Sequence, residues 1–109
     1  MMNQLLQNSY LQQLKMDNQL IYSDEDLIKR FQDGDEQAYV ELVNRYRDRL
    51  MNFVYRFTSD SEQSEDIVQE VMLKLVESHK KNIEVNNIKA WLFQVTRNTI
   101  ADYYKDYYN

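Results

Sequence analysis

The sequence predicts an all-α protein, a compact bundle of about four helices behind an N-terminal extension. Three observations carry this. The 109 residues include no Pro and one Gly, too little punctuation for the tight turns that a sheet protein of this size needs. Apolar residues recur every three to four positions over most of residues 23–104, the period of a helix with one buried face. Short polar breaks carrying capping residues separate these runs, as they do in helical bundles.

Residues 1–22 are rich in Gln and Asn. Leu6, Tyr10 and Leu14, with Leu11 beside them, could line one helical face, but so little apolar surface predicts a frayed or disordered extension. One domain follows, over residues 23–109. Its first helix starts at SDED, where Ser23 caps and Asp26 stands three residues on. Leu27, Ile28 and Phe31 form its apolar stripe, and it ends at about Gln32. In DGD, Gly34 supplies a left-handed stop and Asp35 caps the next helix.

The second helix is predicted over Glu36–Thr58, with Tyr39, Leu42, Val43, Tyr46, Leu50, Phe53, Val54 and Phe57 on its inner face. Arg45, Arg49 and Arg56 run beside that stripe as a basic edge, with Arg47 off it. The edge either meets a nucleic-acid backbone or pairs with acids, and pairing with the acids of the third helix is the favoured reading. Asp60 caps that third helix, predicted from Ser61 to Ser78, with Ile67, Val68, Val71, Met72, Leu75 and Val76 inward. A second stripe, Asp66, Gln69, Glu70 and Leu73, follows the same spacing on another face. HKKNIEVNN reads as a loop. The last helix runs from Ile88 to about Tyr104, with Trp91, Leu92, Val95, Thr99 and Tyr103 facing inward.

Charge is unevenly spread. The chain carries net −5, so it lacks the overall basic balance of a stand-alone nucleic-acid binder. Residues 60–78 hold six acids against Lys74, whereas residues 79–109 hold five bases against three acids. The chain therefore offers two unlike faces to two unlike partners. There is no Cys, which excludes disulfides, zinc knuckles and thiol nucleophiles. No apolar run is long enough to span a membrane and no signal peptide opens the chain. The expectation is a cytoplasmic protein without a membrane partner.

No catalytic constellation or cofactor motif is visible. His79, the single His, has no Ser or Cys partner at a telling spacing and reads as a solvated loop residue. One Gly cannot build a phosphate loop. DGDEQ lacks calcium-loop spacing. Glu65, Asp66 and Glu70 have no His or Cys nearby and read as a solvated face rather than a metal site. The chain is expected not to be an enzyme.

Three segments, taken in order, resemble the region-two domain of bacterial RNA polymerase sigma factors, closest to the extracytoplasmic-function type. They are DLIKRFQDGDEQAYVELVNRYRDRLMNFVYRFT, SEQSEDIVQEVMLKLVES and IKAWLFQVTRNTIADYY, together about residues 24–104. The resemblance implies that the helix carrying EDIVQEVMLKL docks on the clamp helices of the largest subunit of core RNA polymerase. That assigns Asp66, Gln69, Glu70 and Leu73 to the contact. Their residue types agree: acids around one apolar anchor suit a basic helical partner.

The resemblance also implies that the loop before the last helix, and that helix's outer face, hold the non-template strand of the melted −10 promoter element. Lys80, Lys81 and Lys89 would neutralise phosphates. Asn86 and Asn87 offer donors and acceptors to a base edge. Arg97 and Asn98 match the family's R-N pair, with Arg97 on backbone and Asn98 bordering the base pocket. Trp91 reads as core, and Phe93 is open between core and strand. An anti-sigma factor is a further implied partner. The alternative is a sigma-like interaction module that binds polymerase or an anti-sigma factor without reading DNA.

The sequence departs from the family pattern at three points. Gln94 stands where Arg or Lys is common. Asp102 is followed by YYKDYYN instead of a basic run. The C-terminal domain that reads the −35 element is absent from these residues. The expectation is a fragment of a longer sigma factor, with the terminal tyrosines opening a linker; a naturally short relative is the other reading.

Overall fold

The computed structural model describes residues 22–81 and 84–108, with the side chains of residues 106–108 left aside. The expectations for residues 1–21 and for the Tyr107 and Tyr108 side chains lie outside the described residues. Four helices follow one another: α1 (Asp24–Gln32), α2 (Glu36–Thr58), α3 (Ser61–Lys80) and α4 (Ile88–Tyr108). Among the described residues there is no strand. α2 packs against α1 and α3, and α3 in turn packs against α4.

Each boundary has a local cause. The Ser23 hydroxyl accepts from Asp26 N at 3.1 Å and opens α1. At its end Asp35 N donates to Arg30 O at 2.8 Å and Gly34 N to Phe31 O at 3.0 Å. This six-to-one and five-to-two pair needs a left-handed residue, and Gly34 supplies it at φ +102°. Asp35 Oδ1 then accepts from Gln37 N at 3.0 Å, so α2 starts at once. α2 stops at Ser59, which is left-handed at φ +52°. Asp60 Oδ1 accepts from Gln63 N at 3.1 Å and opens α3.

Two helices run past their predicted ends. α3 continues through His79 to Lys80 and α4 continues past Tyr104 to Tyr108. Neither stretch holds a Gly or Pro to stop it, and His79, Lys80 and Lys105 suit the negative end of a helix dipole. Ser78 lies buried inside α3, its hydroxyl satisfied by donating back to Leu75 O at 2.6 Å.

The core lies between α2, α3 and α4. Leu50, Val54, Ile67, Val71, Leu75 and Leu92 are wholly inaccessible to solvent. Leu27, Ile28 and Phe31 of α1 close one end, and Val85 anchors the loop before α4. On α4 the fully buried row is Ile88, Leu92, Thr96, Thr99 and Ile100, whereas Trp91, Val95 and Tyr103 pack on its margin. Thr96 was missed as a core residue because of its hydroxyl. That hydroxyl is satisfied by Leu92 O at 2.6 Å, so its burial costs little. Phe57, expected inside, is 56% exposed. Val76 is only half-buried.

A polar cluster ties α1 to α2. Arg45 bonds Asp24 Oδ1 at 2.9 Å, Glu41 Oε1 at 3.2 Å and Tyr22 O at 2.7 Å. The Tyr46 hydroxyl donates to the other Asp24 oxygen. Glu41 and Tyr46 are buried, so removing one member strands the others away from water. This corrects the expected pairing of the basic edge with α3. Arg45 turns to α1, and it is Arg47, off that edge, that reaches α3, at Glu65 across 3.1 Å. The reason is geometric: the Arg45 side of α2 faces α1.

Burial first, and then the bond to Asp24, hold the Tyr46 phenol well above its ordinary range; burial also raises Tyr39. Both stay protonated in the fold after the unfolded chain begins to ionise. Stability from these groups is therefore full below about pH 10 and falls as pH rises beyond it. Urea midpoints recorded from pH 8 to 11.5 should drop on the alkaline side, and Tyr46→Phe should flatten that drop. A Cβ at Gly34 would meet nothing within 4 Å, so Gly34→Ala tests backbone strain alone. It should cost about 1–2 kcal/mol in urea denaturation.

Candidate functional site

Burial fixes what α3 shows to water. With Ile67, Val68, Val71 and Leu75 inward, the period of the helix turns Asp66, Gln69, Glu70 and Leu73 out along about 10 Å of its length. All four are exposed, and Leu73, at 62%, is an apolar side chain left open to solvent. Lys74, the one base of this helix before its end, does not neutralise the row. Its ammonium donates to Thr99 Oγ1 of α4 at 2.8 Å and only loosely approaches Glu70, at 3.8 Å. The face therefore keeps its acidic character around the Leu.

Beside it lies a groove of about 410 Å³ at one end of the α2–α3 seam and another of about 370 Å³ further along. The second is lined by Tyr39, Val43, Met51, Val68 and Met72, with Gln69 and Leu73 at its rim and the Arg47–Glu65 pair across it. Tyr39 belongs to both grooves, and its hydroxyl donates to Met72 O at 3.3 Å. The sequence reading missed these grooves because Val43 and Met51 come from α2. Their apolar type was visible, but not the gap they leave against α3.

The first groove changes the reading of His79. It is not a solvated loop residue: it sits half-buried in the last turn of α3 with its ring 4.8 Å from Phe31. The cause is the continuation of α3, which carries His79 over the end of α1.

The other candidate residues gather around the end of α3 and along α4. Lys80 closes α3 and Lys81 is its C-cap, whose N–H donates to Glu77 O at 2.9 Å. Asn86 and Asn87 follow the buried Val85 directly and lead into α4, where Lys89 sits in the first turn. All of these are exposed, as are Arg97 and Asn98. Two of them have local partners. Asn87 Oδ1 accepts from Ala90 N at 3.1 Å and so caps α4, leaving its amide group as its outward donor. Asn98 Oδ1 accepts from Gln94 Nε2 at 3.2 Å. The Arg97 guanidinium lies 5.7 Å from the centre of the Phe53 ring. Phe93 is half-buried and meets Phe53 edge-on at 5.4 Å. Trp91 packs against the core. Among the described residues no helix is long and apolar enough to cross a membrane.

The family Sigma-70 region 2 matches residues 42–108. The RNA polymerase sigma-H factor of Pseudomonas aeruginosa is 26% identical over 80 residues, covering 73% of this chain and 42% of that protein. The ECF RNA polymerase sigma-E factor of Haemophilus influenzae is 30% identical over 81 residues, covering 74% and 42%. The ECF RNA polymerase sigma factor SigM of Bacillus subtilis is 38% identical over 63 residues, covering 58% and 38%. The matched region spans about 42% of the first two relatives. No solved structure matches the chain. The chain belongs to the Sigma-70 region 2 family, as a region-two domain of the extracytoplasmic-function sigma type.

Proposed function

We propose that this domain docks on core RNA polymerase through Asp66, Gln69, Glu70 and Leu73 and then holds the melted −10 non-template strand. The observation that supports docking is the exposed Leu73 within an acidic row beside an apolar groove. A basic helix with an apolar anchor is the complementary partner. The clamp helices of the largest subunit are that partner in this reading, and an anti-sigma factor would compete for the same face.

The strand is held by the end of α3, by the residues that lead into α4 and its first turn, and by Arg97 and Asn98. Lys80, Lys81, Lys89 and Arg97 neutralise phosphates, while Asn86 and the Asn87 amide meet base edges. Capturing an unstacked base costs a few kcal/mol, offset by stacking and edge hydrogen bonds. With net −5, the domain depends on polymerase to bring the DNA near. Its part is binding alone, and the chemistry belongs to the polymerase.

A second reading has its own support. The oxygens of Asn87 and Asn98 are engaged within the domain, which suits a polymerase-binding module that does not read DNA. One experiment separates the two: a pull-down with core polymerase and a labelled pool of single-stranded DNA of randomised sequence. In the favoured reading polymerase is bound and a subset of strands is retained with it. In the second reading polymerase is bound without strands. Glu70→Lys should weaken polymerase binding by about thirtyfold or more, and Leu73→Ala by about five- to thirtyfold, with unchanged melting temperatures. Unchanged polymerase binding by both variants would refute this docking face.

A further inference from the structure

The groove of about 410 Å³ lies where the end of α1, the start of α2 and the end of α3 meet, and Phe31, Tyr39, Val40, Val76 and His79 line it. Its floor is aromatic: the Phe31 ring is 5.3 Å from Tyr39 and 4.8 Å from His79. Val40 is 46% exposed beside them. Two side chains of opposite charge, Glu36 and Lys80, complete the lining. None of the four residues proposed to meet polymerase belongs to it. The chain enters the described fold next to this groove. The Arg30 guanidinium lies 3.9 Å from the centre of the Tyr22 ring and 3.9 Å from Asp35. Phe31 and Glu36 of the groove neighbour those two residues in sequence.

We infer that the occupant of this groove is the chain's own residues 1–21, folded back as a helical strap with Leu6, Tyr10, Leu11 and Leu14 set into it. These four residues share one helical face, at i, i+4, i+5 and i+8. A helix this short is not stable alone in water, which is why the sequence predicts a frayed extension. The groove supplies the apolar partner that the segment lacks. Reach is sufficient: the eight steps from Leu14 to Tyr22 span up to about 26 Å. Charge also selects this occupant. The acidic row on α3 suits a basic partner, whereas this groove carries one acid and one base. Residues 1–21 likewise hold one base and one acid, Lys15 and Asp17. Tethering favours the same chain over a second copy, because a short linker sets an effective concentration on the order of millimolar.

The strap does not depend on polymerase or DNA binding, and its test uses neither. The chain contains no Cys, so cysteine pairs can be introduced into the full 109 residues without background. Leu11→Cys is combined with Val40→Cys in the groove or, as a control, with Asn98→Cys on the exposed face of α4. A short bismaleimide should crosslink the Val40 pair within one chain at least about tenfold faster than the control pair. Adding Leu14→Asp, which lies outside the described core, should bring the Val40 pair down to the control rate. His79 is the single His, so its ring protons read the groove directly by NMR. They should show cross-relaxation to leucine methyls of residues 6–14 in the unmodified chain, lost in Leu14→Asp. Equal rates for the two pairs, or a Val40 rate that Leu14→Asp leaves unchanged, would overturn the strap. So would crosslinked products with the mass of two chains that disappear on dilution, since the segment would then occupy a second copy.

Discussion

The burial of one row on α3 is the constraint from which the other features follow. Ile67, Val71 and Leu75 are wholly inaccessible, gripped between α2 and α4. Each such side chain contributes about 1.5–3 kcal/mol relative to exposure, so the rotation of α3 about its axis is not free. Once that rotation is set, the helical period leaves Asp66, Gln69, Glu70 and Leu73 outward. The acidic row proposed to meet polymerase and the core of the domain are two sides of one helix. Its buried polar residues do not oppose this: Ser64 donates to Asp60 O at 2.8 Å and Ser78 to Leu75 O at 2.6 Å.

Electrostatics divides the surface that packing leaves. The α1–α2 cluster takes Arg45 out of circulation, since its guanidinium serves Asp24, Glu41 and Tyr22 O. Lys74 leans on Thr99 and leaves the acids of α3 in the open. Exposed bases remain at the end of α3, before and along α4, on α2 at Arg49 and Arg56, and in the last turn of α1 at Lys29 and Arg30. A chain of net −5 still carries basic stretches because its acids are concentrated on α3, where residues 60–78 hold six against Lys74.

Most of the fold could be read from local chemistry. Ser23, Asp35 and Asp60 cap where the sequence puts them, and Gly34 takes the left-handed turn that α1 needs. These signals act within three residues, so no tertiary knowledge is required. Helix ends without a stop signal were less legible, which is why α3 and α4 outran their predicted limits and why His79 was misread. Inner faces of α2 and α3 were legible through their central turns, where residues were plainly apolar, but not at Phe57 and Val76 near their ends. They were blurred on α4, whose buried row includes Thr96 and Thr99. A hydroxyl that bonds its own helix behaves as a core residue, but its residue type does not announce this.

The candidate faces divide along the same line. The sequence by itself determined four helices, their caps, the acidic row on α3 and the basic stretch after it, because each is a matter of spacing along one chain segment. Only the tertiary structure decided what two segments make together. It sent Arg45 to α1 and Arg47 to Glu65, opened the grooves between α2 and α3, and brought Arg97 over Phe53. Partner choice depends on which helix faces which, and that is settled by how whole apolar faces pack. No spacing within a single helix encodes it.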